Sequence, residues 1–160
     1  MNRFFFDKKR SKMTNEPLHI LLADDDETDR LLFEEALREL VIKTIVETVN
    51  NGEQLMALLS AKDAKIPDLL FLDLNMPQKN GMECLKEIRG DKKFKEMSIL
   101  IYSTSNSEKD MEETFLHGAN VYINKPNNFN ALKQVLEKAV TAAYYYQDPP
   151  FNKANFLLKI

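Results

Sequence analysis

The 160-residue chain is about one domain long and too short for two well-filled cores. Hydrophobic residues make up 44% and charged residues 29%, with four glycines and six prolines, which excludes a disordered chain, a collagen and a disulfide scaffold. The formal charge is −3, yet residues 1–16 carry five basic and two acidic side chains, so the acidic excess lies in the rest. An acidic body argues against a nucleic-acid partner, whose phosphate backbone calls for clustered Lys and Arg. Cys84 has no second cysteine to pair with, and no secretory leader pattern opens the chain, so a cytoplasmic location is expected. Apolar runs such as Leu69-Leu70-Phe71-Leu72 are far shorter than the roughly 20 residues of a membrane helix, and no membrane partner is expected.

In chain order, residues 1–16 fall outside any periodic pattern and are read as a disordered extension, with Met13 an alternative start. The apolar run Leu18 to Ala23 predicts a first strand. Leu32, Phe33, Ala36, Leu37 and Leu40 then repeat at helical spacing. Further strands are predicted over 44–49, 68–72, 98–102 and 119–123. Phe129, Leu132, Val135, Leu136, Ala139, Val140 and Ala143 mark one face of a last helix over 128–146. Asp148-Pro149-Pro150 ends it before a tail, 147–160, that closes on Phe156, Leu157, Leu158 and Ile160 and is too short for an output domain. Near-continuous apolar strands suit a parallel sheet covered on both faces. Five strand-then-helix units therefore predict an α/β fold: a doubly wound, five-stranded parallel sheet of flavodoxin-like order 2-1-3-4-5.

Ligands of such sheets bind beyond the carboxyl ends of the strands, and those positions are polar here. The first strand runs into Asp24-Asp25-Asp26-Glu27, the third into Asp73, the fourth into Ser103-Thr104 and the fifth into Asn124-Lys125-Pro126. Singly, each has an ordinary explanation. Asp26 suits a helix cap with Glu27 and Asp29 near the positive end of the helix dipole, Asp73 a turn, Ser103-Thr104 a loop start and Lys125 a solvated surface. Those explanations do not account for Asp24 or Asp25, nor for the coincidence at one end of four strands. Three carboxylates at close quarters call for a compensating cation, and an all-oxygen donor set without His or Cys suits Mg²⁺. A phosphate near Asp73 would then face the metal on one side and Lys125 on the other, with the Ser103 hydroxyl on a third oxygen, a phosphoryl-transfer arrangement with a carboxylate nucleophile.

The stretches LHILLADDDETDR, NNGEQLMALL, PDLLFLDLNMPQKNGMECLKEIR, SILIYSTS and GANVYINKP, in that order and spacing, resemble the receiver domain of two-component response regulators over residues 17–146. The resemblance implies that Asp73 is the phosphoacceptor and that Asp24, Asp25, Asp73 and the Asn75 carbonyl hold Mg²⁺. It also implies that Ser103 is the switch hydroxyl, Lys125 the phosphate-binding lysine, Tyr122 the switch aromatic, and Lys125-Pro126 a cis peptide. The family often has Thr-Ala where this chain has Ser103-Thr104, which leaves open which hydroxyl meets the phosphate. Asp-Leu-Asn-Met-Pro followed by Asn80-Gly81, with the long last helix, is most similar to stand-alone receivers serving bacterial phytochrome-type histidine kinases. The implied partner is a sensor histidine kinase or histidine phosphotransfer protein. The implied activity is a signalling switch, not an enzyme beyond its own phosphorylation and dephosphorylation.

Two other classes compete. A haloacid-dehalogenase-type phosphohydrolase shares the Asp nucleophile, Mg²⁺, Ser/Thr and Lys, but has a second Asp where this chain has Asn75, and its nucleophile on the first strand. A nucleotide or flavin binder would need a glycine-rich loop, and Gly52, Gly81, Gly90 and Gly118 are isolated. His117 reads as a helix end, His19 as part of the first strand, and Cys84 as core. Phosphorylation is expected to turn Tyr122 from an exposed to an inward rotamer and alter the face of the fourth helix, fifth strand and fifth helix. The apolar tail is expected to pack on that face or in a homodimer.

Overall fold

Every residue of the runs LHILLA, LLFL and SILIYS is buried, and these form strands β1 (Leu18–Ala23), β3 (Leu69–Leu72) and β4 (Ser98–Ser103). The computed structural model describes residues 16–145 and 156–158, so the expected disorder before residue 16 and the helix end at Tyr146 lie outside the described residues. Strand β2 (Thr44–Val49) alternates exposed and part-buried positions, as an edge strand does, and β5 (Val121–Asn124) completes the five predicted strands. The order 2-1-3-4-5 and the parallel pairing are as the sequence predicts.

A two-residue strand, β6 (Leu157–Leu158), extends the sheet to six, pairing in parallel with β5 in the register Tyr122 to Leu157. It adds an edge strand to the five that the sequence predicts. Phe156 is buried between Phe115 and Tyr122, with ring centroids 5.1 and 6.1 Å away, and that anchor holds the following two residues against the open edge of β5. So short a strand has no periodicity to read.

Side chains alternate across the sheet, and each face is sealed by helices. On one face Leu22, Phe71 and Tyr102 pack with Phe33 and Leu37 of α1 (Glu27–Arg38) and Leu136 and Val140 of α5 (Phe129–Tyr145). On the other, Leu70, Ile99 and Tyr122 pack with residues of α2 (Gly52–Ser60) and α3 (Gly81–Arg89), and with Phe115 of α4 (Glu108–Leu116). Helix starts follow local chemistry. Asp26, Asn51, Asn80 and Ser107 are N-caps, and Asn80 forms a reciprocal capping box with Glu83.

Strand limits move by a residue or two from the sequence reading because polar side chains take backbone roles. Asp68 stays outside β3 and accepts from the His19 amide (2.8 Å), while Asn120 Oδ1 accepts from the Ile99 amide (2.8 Å) ahead of β5. His117 is the C-cap of α4 as expected, and Cys84 is core, its thiol pushed up to about 11 by burial. No helix among the described residues is long and apolar enough to cross a membrane.

Candidate functional site

The order β2-β1-β3 means that the chain reverses direction across the sheet between β1 and β3, which opens a crevice at their carboxyl ends. Ala23 is in register with Leu72, so the next residues, Asp24 and Asp73, emerge side by side. Carboxylate oxygens of Asp24, Asp25 and Asp73 lie within 4.8 Å of one another; Asp24 and Asp73 are buried and Asp25 faces solvent.

Main-chain amides aim the two buried acids. Asp24 Oδ1 accepts from the Asp26 amide (3.0 Å), and Asp73 Oδ1 from the Asn75 amide (3.1 Å). The β3–α3 loop folds back so closely that a Cβ at Gly81 would overlap the Asp73 carbonyl oxygen, and the Gly81 amide donates to Leu74 O (3.0 Å). Only glycine permits that approach. Gln78 in the same loop takes a left-handed φ of 68°.

Just after β5, the Lys125 ammonium lies over the Tyr102 ring, 5.2 Å from its centroid, and enters the acidic group. Nζ is 2.7 Å from Asp24 Oδ2, 2.9 Å from Asp29 Oδ2 and 3.4 Å from Asp73 Oδ2. Burial alone would lower the lysine's pKa, but the close carboxylates of Asp24, Asp29 and Asp73 outweigh it and raise it. Asp73 is pushed up to about 6, chiefly by burial and further by Asp24, against the opposing pull of Lys125 and the Asn75 amide. One cation thus serves three carboxylates, with Asp25 alongside. Asp24 Oδ2 is buried and touches the ammonium, yet no donor is aligned on it as a hydrogen bond. An under-satisfied buried carboxylate oxygen in an all-oxygen cluster fits a hard divalent cation.

At the end of β4, Ser103 is fully buried and Thr104 exposed. Ser103 Oγ accepts from the Ser105 amide (3.1 Å), and Ser103 O accepts from the Lys125 amide (2.7 Å). The hydroxyl and the lysine are therefore tied together at the adjacent ends of β4 and β5.

Residues 20–137 match the model of the response regulator receiver domain. The chain belongs to that family. Response regulator Rcp1 of Synechocystis sp. is 30% identical over 131 residues, covering 79% of this chain and 89% of that protein. The structure of the phosphorylated cyanobacterial phytochrome response regulator RcpA superposes with a TM-score of 0.73 at 34% identity, covering 78% of this chain and 91% of that one. The Mn²⁺-bound form of Rcp1 does so with 0.73 at 28% identity, covering 80% and 95%. The receiver is thus a two-component response regulator domain, and its partner class is a histidine kinase or phosphotransfer protein. The phosphohydrolase and nucleotide-binder readings give way to this match.

The receiver differs from the sequence reading at two site positions. Lys125-Pro126 is not cis, since no described peptide bond is; trans is the intrinsically favoured isomer, and Lys125 reaches the carboxylates from it. Tyr122 is in the inward position. Its ring is fully buried beneath Phe156, and its hydroxyl donates to Ser105 O (2.8 Å). Burial pushes the Tyr122 hydroxyl's pKa up.

Two residues of the receiver's site were not singled out from sequence. Ser105 joins the switch elements: its amide donates to Ser103 Oγ, its hydroxyl to Asp110 Oδ2 (2.6 Å), and its carbonyl accepts from Tyr122 and from Asn124 Nδ2 (2.9 Å). Its place two positions after Ser103 was the available signal. Asp29 reads from sequence as a first-turn helix acid, and nothing local ties it to Lys125, 96 residues away.

Proposed function

We propose that this receiver is a phosphorylation switch in which Asp73 takes a phosphoryl group from a kinase phosphohistidine. The observation that carries the reading is the convergence, at the β1–β3 crevice, of a carboxylate with pKa about 6, two further carboxylates and the Lys125 ammonium. At neutral pH Asp73 is mainly ionised, as a nucleophile must be. Its carboxylate attacks phosphorus, the P–O bond forms as the P–N bond to the imidazole breaks, and the leaving imidazole takes a proton from solvent. Lys125 and the buried Ser103 hydroxyl hold phosphoryl oxygens, with Thr104 beside them at the surface. Asp24, Asp25, Asp73 and the Asn75 carbonyl would hold Mg²⁺, which supplies positive charge against the developing phosphate charge. The chemistry is limited to this transfer and the later hydrolysis of the acyl phosphate.

The added charge draws Ser103 and Lys125 inward, and the Ser105 hydrogen bonds pass the movement to Tyr122, α4 and β5. That face is the output surface of a cytoplasmic signalling protein without a nucleic-acid partner. The exposed Leu116 of α4 supports this face as the surface for a homodimer. Phytochrome-type input is supported by the likeness to RcpA, described as a cyanobacterial phytochrome response regulator.

Incubation with acetyl phosphate and Mg²⁺ is expected to add about 80 Da, one phosphoryl group, to the intact protein and none to Asp73→Asn. The adduct should be cleaved by hydroxylamine. An undiminished adduct on Asp73→Asn would overturn the assignment. Sedimentation of the beryllofluoride-treated protein should show a dimer that truncation after Tyr146 weakens; monomer in every sample removes the homodimer.

A further inference from the structure

Lys125 is shared unequally among its three carboxylates, and the weakest share goes to Asp73, the acid it is meant to serve. Asp24 is fully buried and belongs to the carboxylate cluster. Asp29 belongs to neither the strand ends nor that cluster, yet its Oδ2 is 2.9 Å from Nζ, against 3.4 Å for Asp73.

The ordinary explanation for an acid three positions after an N-cap is a capping box, in which its side chain reaches back to the cap amide. That role is taken here. The Asp26 amide donates to Asp24 Oδ1 (3.0 Å), and Asp29 contributes to the cap only its own amide, donated to Asp26 Oδ1 (2.9 Å). Its carboxylate is left to point across the crevice from α1 to β5. The next residue, Arg30, braces the same loop by donating to Asp24 O (2.8 Å), so the first turn of α1 is fixed against the acidic loop. With 34% of its side-chain surface exposed, Asp29 can release the lysine to water's hydrogen bonds, whereas Asp24 cannot.

We propose that Asp29 is a positioning residue that holds the Lys125 ammonium back from Asp73 before phosphorylation and so restrains the rate at which Asp73 is phosphorylated. The inference rests on Asp73 being the phosphoacceptor. When a phosphoryl group arrives, its oxygens outcompete a part-exposed carboxylate for Nζ, and the lysine transfers from Asp29 to the phosphate.

The test compares the rate of mass gain from acetyl phosphate with Mg²⁺ in the wild type, Asp29→Asn, Asp29→Glu and Asp26→Asn. Asp26→Asn removes an equal charge from the same turn while keeping a capping side chain. Asp29→Asn should be phosphorylated roughly two- to five-fold faster, the factor that corresponds to loss of a part-exposed ion pair. Asp29→Glu should restore the wild-type rate, and Asp26→Asn should stay near it. On metal-free protein, ¹⁵N spectra of the lysine ammonium groups should show Lys125 exchanging with water faster in Asp29→Asn alone. If Asp29→Asn and Asp26→Asn behave alike in both measurements, the positioning role falls while the phosphoacceptor reading stands. If the wild type itself gains no phosphoryl group on Asp73, both fall.

Discussion

Charge is drawn in from solvent at both ends of this sheet, half-buried at one and buried at the other, and the two ends treat it in opposite ways. At the amino end of β4 and β5, Arg89 spends its guanidinium on four neutral oxygens: Gly118 O, Phe94 O, Met97 O and Asn120 Oδ1, at 2.8, 2.9, 2.8 and 2.8 Å. Gly118, at φ 96°, packs against the arginine stem so closely that a Cβ would stand 3.0 Å from its Cγ. The fork is matched and closed, and it ties α3 to the turns before β4 and β5. At the carboxyl end, one lysine is divided among three carboxylates, Asp24 Oδ2 lacks an aligned donor, and Asp73 is held up near 6. A satisfied charge is a structural clasp, whereas an under-compensated group of carboxylates is one that a cation can relieve. The fold holds the second in place with rigidity that the first helps supply.

The contrast can be broken most directly at the clasp. Arg89→Ala removes four hydrogen bonds at once, leaving Gly118 O and Met97 O without the guanidinium while Asn120 Oδ1 and Phe94 O keep the Ile99 and Met97 amides, and should cost about 2–4 kcal/mol in urea unfolding, with Arg89→Lys recovering little because an ammonium cannot reproduce the planar fork. A loss below the error of the measurement would show that the turns before β4 and β5 hold without it.

At the open end the sign reverses. Asp73 titrates at about 6 in the fold against an ordinary 3.8. Its folded value is raised, so the associated stability is complete below the unfolded pKa and is lost as pH rises through the folded one. Asp73→Asn, which never ionises, is therefore expected to be more stable than wild type by roughly 1–3 kcal/mol near pH 7.5 without metal. The gap should close as pH falls below about 4. A variant less stable than wild type at neutral pH would contradict this.

The smallest effect sharpens the comparison. Millimolar Mg²⁺ should stabilise the wild type by about 1–2 kcal/mol, as any ligand of the folded state does, and Asp73→Asn or Asp25→Ala by much less. It should leave the deficit of Arg89→Ala unchanged, because that defect lies outside the acidic crevice.

Five strands, their parallel order and the acids at their ends were legible in the sequence because each rests on a local signal. Leu18–Ala23 and Leu69–Leu72 are apolar without interruption, and burial on both faces leaves no other pattern. Asp24, Asp73, Ser103 and Lys125 follow such runs, so alternation and topology place them at one end. The short strand Leu157–Leu158, the inward Tyr122 and the tie from Asp29 to Lys125 were decided only by tertiary structure. Two residues carry no period, so β6 depends on Phe156 finding a slot between Phe115 and Tyr122. That same ring seals Tyr122 beneath it. Asp29 has the sequence mark of a helix-start acid, and its actual partner lies on another strand's end. Which of several carboxylates an ammonium meets depends on side-chain reach across a crevice, and that distance exists only once α1 and β5 have packed on the same sheet.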